Sequence, residues 1–142
     1  MRKHILFFAF ALAGIFMMAC NPQKTAETAE AVELSESEIT VYYFHNERRC
    51  ATCEAVESET KAALEKYYPQ LIKDGKIAFV SLSLEEASGA SIADHFQIAS
   101  QSLIVVKGDE LKDITNEGFL YARATPVKLH QEVKKAIDPL IN

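Results

Sequence analysis

Two cysteines three positions apart, Cys50 and Cys53, stand between a stretch that reads as a strand and one that reads as a helix, and no other feature narrows the fold as far. Upstream, Ile39-Thr40-Val41-Tyr42-Tyr43-Phe44 is β-branched and aromatic, the composition of a strand. Downstream, Cys53, Val56, Thr60, Ala63, Leu64, Tyr67 and Leu71 recur at helical spacing on one face. A C-x-x-C pair on a first helical turn closes into a disulfide with little backbone motion. The helix N-terminus offers unpaired N–H groups and partial positive charge, and both favour a thiolate. Arg48 and Arg49 are expected to add to that field, unless they are a solvated loop pair. The reading is that Cys50 is the exposed nucleophile and Cys53 the buried resolving thiol.

The remaining pattern supplies a single domain. The helix after Cys50 is expected from about Ala51 to Lys73, broken or kinked at Pro69 and stopped at Asp74-Gly75. Ile77–Leu82 is apolar on both faces, which predicts a central strand covered on each side. The helical crossover makes it parallel to the first strand. Glu85–Gly89 reads as a polar loop and Ser91–Phe96 as a short helix. Ser102–Lys107 and Leu111–Ile114 form a hairpin about Gly108-Asp109. Asn116 is a candidate cap for a helix running to Ala124. Thr125-Pro126 reads as cap and first position of a last helix buried through Leu129, Val133, Ala136, Ile137 and Leu140, with its end frayed at Pro139. Tyr67, Tyr68 and Phe119 are expected in the core, and His95 and His130 on ordinary helix faces.

That order, with C-x-x-C at the first helix start, resembles the thioredoxin fold across about residues 38–141. The resemblance implies an α/β domain with a mixed central sheet of about four strands and flanking helices. The departures carry consequences. Thioredoxins have Trp before the first cysteine and Gly-Pro within the pair; this chain has Arg49 and Ala51-Thr52, and no Trp at all. Gln101 stands about where thioredoxins carry a cis-proline facing the disulfide. Its loss implies a differently shaped partner groove and weaker protection against metal capture. The buried acid on the strand before the dithiol has no match, since Tyr42, Tyr43 and Phe44 occupy that region. Glu57, four residues after Cys53 on the same helical face, is the substitute candidate. Partly buried, it would have a raised pKa and shuttle the resolving thiol's proton; the alternative is a solvated glutamate.

A narrower resemblance rests on Tyr42-Tyr43-Phe44-His45, Arg48-Arg49-Cys50-Ala51-Thr52-Cys53 and Glu57, joined by Asn116-Glu117-Gly118 and Tyr121-Ala122-Arg123. These resemble the small thioredoxin-like family named as nitrophenyl-compound nitroreductase subunits and associated with arsenic-resistance operons. The resemblance implies redox work in support of reduction of nitroaromatic arsenicals. No G-x-G-x-x-G fingerprint for a flavin or nicotinamide is present, so no cofactor is expected beyond a redox-active Cys50–Cys53 disulfide.

The N-terminus sets the expected compartment. Met1-Arg2-Lys3-His4 is basic, and Ile5–Met18 is an apolar run too short for an ordinary membrane span. It ends in Met17-Met18-Ala19-Cys20, which resembles a bacterial lipoprotein signal, with Met17 in place of the usual Leu. The resemblance implies a signal peptide over 1–19 and lipidation of Cys20 in the bilayer. A tether then covers 20–37, leaving a domain at 38–142. A secreted form without the lipid is the alternative. Asn21, rather than Asp, points to the periplasmic face of the outer membrane. Residues 21–37 are rich in Ala, Glu and Thr and span roughly 20–25 Å if coiled; Ala29–Glu36 as a short helix is the alternative. Loss of Arg2 and Lys3 takes the formal charge from −5 to about −7. With that sign, and no basic run or aromatic-basic interleaving, nucleic-acid binding is disfavoured.

Three functions remain open. Thiol–disulfide exchange needs a partner protein disulfide or reductase subunit and, in an oxidising compartment, a membrane thiol conduit supplying electrons. A binding module would hold a soft metal or arsenite through Cys50 and Cys53, with His45 as third ligand. A structural disulfide in a lipoprotein of unrelated role is the third.

Overall fold

The computed structural model describes residues 34–141, all within one compact unit, Ala31–Asn142. The expected signal peptide, Cys20 and most of the expected tether lie outside the described residues.

Among the described residues four strands and five helices follow one another in this order: β1 Ile39–His45, α1 Ala51–Tyr67, α2 Pro69–Lys73, β2 Ile77–Ser83, α3 Ala87–His95, β3 Ser102–Lys107, β4 Glu110–Asp113, α4 Thr115–Tyr121 and α5 Pro126–Ile137. A 3-10 turn at Asp138–Leu140 follows. The sheet order is β2-β1-β3-β4. β1 runs parallel to β2, with Ile39 opposite Ile77, and antiparallel to β3, with Phe44 opposite Ser102. β4 closes the hairpin with Val105 opposite Lys112. The mixed four-stranded α/β sheet is the one expected.

β1 alternates between two cores. Val41 and Tyr43 face a cluster with Val56 and Leu64 of α1, Leu103 and Val105 of β3, and Leu129, Val133 and Ile137 of α5. Tyr42 and Phe44 face a smaller cluster with Ile104, Val106 and, from α3, Ile92 and Ala93. Each fully buried aliphatic side chain contributes about 1.5–3 kcal/mol relative to exposure. The strand that leads to the cysteines is therefore packed on both faces.

The central position belongs to β1, not to β2. β2 is an edge strand with only Ile77 and Ser83 buried and the residues between them half-buried. A continuous apolar run reports that both faces touch something; it does not report whether the strand's own edge is paired. α3 also begins earlier than expected, at Ala87, so Gly89 lies in a helix. A Cβ there would come 1.9 Å from the carbonyl oxygen of Ser83. The Ser-Gly-Ala-Ser stretch is small because the helix presses on the end of β2, and smallness resembles a loop in sequence.

Pro69 does end the first helix: α1 stops at Tyr67 and α2 restarts with Pro69 in its first turn. Gly75 takes the left-handed conformation, φ +70°. Asn116 is not the cap of α4. That helix starts at Thr115, whose N–H donates to Asp113 Oδ1 at 2.8 Å, and ends at Tyr121. Thr125-Pro126 opens α5 as expected, although the Thr125 side chain makes no capping bond. Tyr68 is buried, whereas Tyr67 and Phe119 are half-buried against the same core.

Candidate active site

The dithiol sits where the end of β1, the start of α1 and the loop before β3 meet. Cys50 is the N-cap of α1, with extended backbone (φ −103°, ψ 162°). Its Sγ accepts the Cys53 N–H at 3.3 Å, the role a serine or aspartate oxygen usually fills. Cys50 is exposed and Cys53 is 4 % exposed. Both are free thiols here. Hydrogen bonds from Cys53, first through its side chain and then its backbone, hold the Cys50 thiol below the usual cysteine range.

Cys53 Sγ also lies 3.2 Å from Gln101 Oε1, so its single proton has two acceptors in reach, Cys50 Sγ and the Gln101 amide oxygen. The register between Phe44 and Ser102 puts residue 101 beside the loop that leads into α1. The start of β3 is pinned further by Thr115 Oγ1, which accepts the Leu103 N–H at 2.9 Å.

A polar network braces Cys53 from behind. The buried Tyr43 hydroxyl donates to the Cys53 carbonyl at 3.1 Å, and Arg49 Nη2 donates to the same oxygen at 3.3 Å. The Arg49 guanidinium lies 5.5 Å from the Tyr43 ring centre. Its other nitrogen pairs with Glu57 at 2.5 Å, and Glu57 also pairs with Lys61 at 2.6 Å. Burial of the Tyr43 phenol, then the neighbouring Cys53, raises its pKa, so it remains a donor at any ordinary pH.

Several sequence expectations change here. Glu57 is not a carboxyl with raised pKa. Burial pushes it up, but the hydrogen bonds from Lys61 and Arg49 and their charges outweigh burial and hold it below the usual range. Ionised and doubly paired, it is a poor proton shuttle. Arg49 does not spend its charge on Cys50; Glu57 takes it. Arg48 is exposed. His45 does not join the cysteines, because its Nδ1 lies 2.9 Å from the Asn46 carbonyl and its ring sits against Tyr43. Among the described residues no group of three or more His, Cys, Asp or Glu gathers as a metal site. His95 is exposed on α3, and His130 pairs across from α5 with Glu59 of α1 at 2.8 Å.

Tyr43 and Gln101 carry contacts that the sequence left unassigned. Both occupied positions where thioredoxins carry something else, which was the available signal. The partner of each is ten or more residues away.

No protein-family model matches this chain, and no curated protein matches it. Solved structures do. The oxidised thioredoxin from Plasmodium falciparum aligns over 71% of this chain and 83% of its own length, at 17% identity and a TM-score of 0.50. The fold is thioredoxin-like. Thioredoxin O2 from Arabidopsis thaliana aligns over 75% of this chain and 77% of its own, at 18% identity and a TM-score of 0.48. Mitochondrial thioredoxin 3 from Saccharomyces cerevisiae covers 71% and 81%, at 17% identity and a TM-score of 0.47. Within the thioredoxin-like frame, the dithiol opens α1, and Gln101 faces it from the loop before β3.

Proposed function

We propose that this chain is a thiol–disulfide oxidoreductase, anchored through a lipidated Cys20 to the periplasmic face of a bacterial outer membrane. The observation that carries the exchange reading is the asymmetry of the dithiol: an exposed Cys50 with a depressed pKa, three residues before a buried Cys53. The Cys50 thiolate attacks one sulfur of a partner disulfide. The new S–S bond is a mixed disulfide, and the displaced partner sulfur leaves with the electron pair and takes up a proton. Cys53 then loses its proton to solvent and attacks Cys50 Sγ. The bond to the partner breaks, the second partner sulfur departs as a thiolate, and the Cys50–Cys53 disulfide remains. Two electrons pass to the partner, and the dithiol must be restored by a membrane thiol conduit. The residues resembling the nitrophenyl-compound nitroreductase subunits favour a role as electron donor to a reductase subunit acting on nitroaromatic arsenicals.

The test is the midpoint of the Cys50–Cys53 couple, by thiol trapping across a dithiothreitol or glutathione series with metal and arsenite excluded. A two-electron transition near the thioredoxin range, about −270 mV, supports the donor role. A value near about −120 mV makes the chain an oxidant instead. No reversible transition, with tight capture of arsenite or a soft metal by the reduced chain, overturns exchange in favour of binding.

A further inference from the structure

We infer that Gln101 is a positioning residue that governs the resolving step, through the sulfur of Cys53. The inference rests on the exchange reading above and assigns a role within that site.

The groups around Cys53 divide by where they reach it. Tyr43 from β1 and Arg49 from the preceding loop hydrogen-bond its carbonyl. Cys50 takes its N–H. Its sulfur has two acceptors in reach, the Cys50 thiolate and the Gln101 amide oxygen, and once Cys50 is bonded in a mixed disulfide the thiolate is gone and Gln101 remains. Glu57, the nearby carboxylate, is paired with Arg49 and Lys61.

A terminal amide suits this position because it carries both signs. Its oxygen accepts the S–H of the resting thiol, as observed. After Cys53 ionises, a half-turn of the amide group presents the NH2, which donates to the thiolate. A hydrogen bond to a charged acceptor is worth more than one from a neutral, weak S–H donor. The net effect is that Gln101 can hold the Cys53 sulfur as thiol and as the attacking thiolate. The proton goes to solvent, and the thiolate attacks Cys50 Sγ as the mixed disulfide breaks. A proline at this position would offer no side-chain hydrogen-bonding group at all.

The experiment uses the full chain in detergent, carrying Cys20→Ser so that only two thiols report. Reaction with 5,5′-dithiobis(2-nitrobenzoate) releases one thiolate chromophore when Cys50 attacks and a second when Cys53 resolves. The first phase scales with reagent concentration, and the second does not. In Gln101→Leu the second phase is expected about tenfold slower, with its pH midpoint moved upward, while the first phase changes far less. In Gln101→Glu a carboxylate faces the forming thiolate, and the midpoint of the second phase moves up further. Thermal unfolding of both variants separates these effects from loss of fold, since a space-filling residue leaves the pH midpoint where it was. If Gln101→Leu and Gln101→Glu both resolve with the parent's rate and pH profile, Gln101 has no such role and exchange stands. If the parent shows no second phase, the exchange reading falls and the role of Gln101 with it.

Discussion

Arg49 gives its charge to Glu57, at 2.5 Å, rather than to the sulfur of Cys50 beside it in sequence. The pair ties the loop before the dithiol to the second turn of α1, and Lys61 extends it by a further turn. The acidity of Cys50 therefore depends on the hydrogen bonds from Cys53, first its side chain and then its backbone N–H, while the charge of Arg49 is taken up by a carboxylate.

Replacing Glu57 with Gln releases Arg49. The pH midpoint of Cys50 alkylation by iodoacetamide is expected to fall, because the guanidinium is no longer neutralised. Stability should drop by about 1 kcal/mol or less, as for other partly exposed pairs. The sign with pH follows from the depressed folded-state pKa of Glu57. Its contribution is present above the unfolded value, about 4.3, and is lost as pH falls through the folded one. Urea titrations at neutral pH and at acid pH should show the parent losing more stability than Glu57→Gln.

Cys50 has two separable roles, nucleophile and helix cap. Cys50→Ser should abolish exchange and keep the fold, because serine is a good N-cap. Cys50→Ala should abolish exchange and also lower the denaturant midpoint relative to Cys50→Ser, because alanine cannot cap the helix. With the folded thiol's pKa depressed, the reduced parent contributes stability above the unfolded cysteine value, about 8.5, and loses it as pH falls through the folded value. Neither variant should show that slope. Chemical denaturation under reducing conditions checks both statements.

The Tyr43 hydroxyl is buried and bonded to the Cys53 carbonyl. Tyr43→Phe keeps the ring in the core and removes that donor, at about 0.5–1.5 kcal/mol. Because the phenol's pKa is raised, the loss should be the same from neutral to mildly alkaline pH. A thermal unfolding series across that range is the check.

Gly89→Ala is expected to be far more costly than a surface change. The added Cβ meets Ser83 backbone, which cannot rotate away. Either α3 lifts from the sheet or β2 bends, at about 1–3 kcal/mol or more. The denaturant midpoint should fall while the Cys50 alkylation profile stays unchanged, since neither residue touches the dithiol.

Local pattern determined much of this protein. Side-chain periodicity placed β1, β3, α1 and α5. Pro69 and Gly75 punctuated the chain where backbone geometry requires them. The spacing of Cys50 and Cys53 at a helix start marked the site, because helix capping and thiolate stabilisation are both effects of neighbours within one turn. The tertiary structure decided what depends on contacts between distant segments. β2 became an edge strand because strand order is a matter of pairing, which hydrophobicity does not encode. Small residues in α3 read as a loop until Ser83 was seen against Gly89. Glu57 looked like a free acid until Arg49 and Lys61 closed on it. The sulfur of Cys53 found its partner in Gln101, 48 residues away, through the register of β1 with β3, and only folding brings those two side chains together.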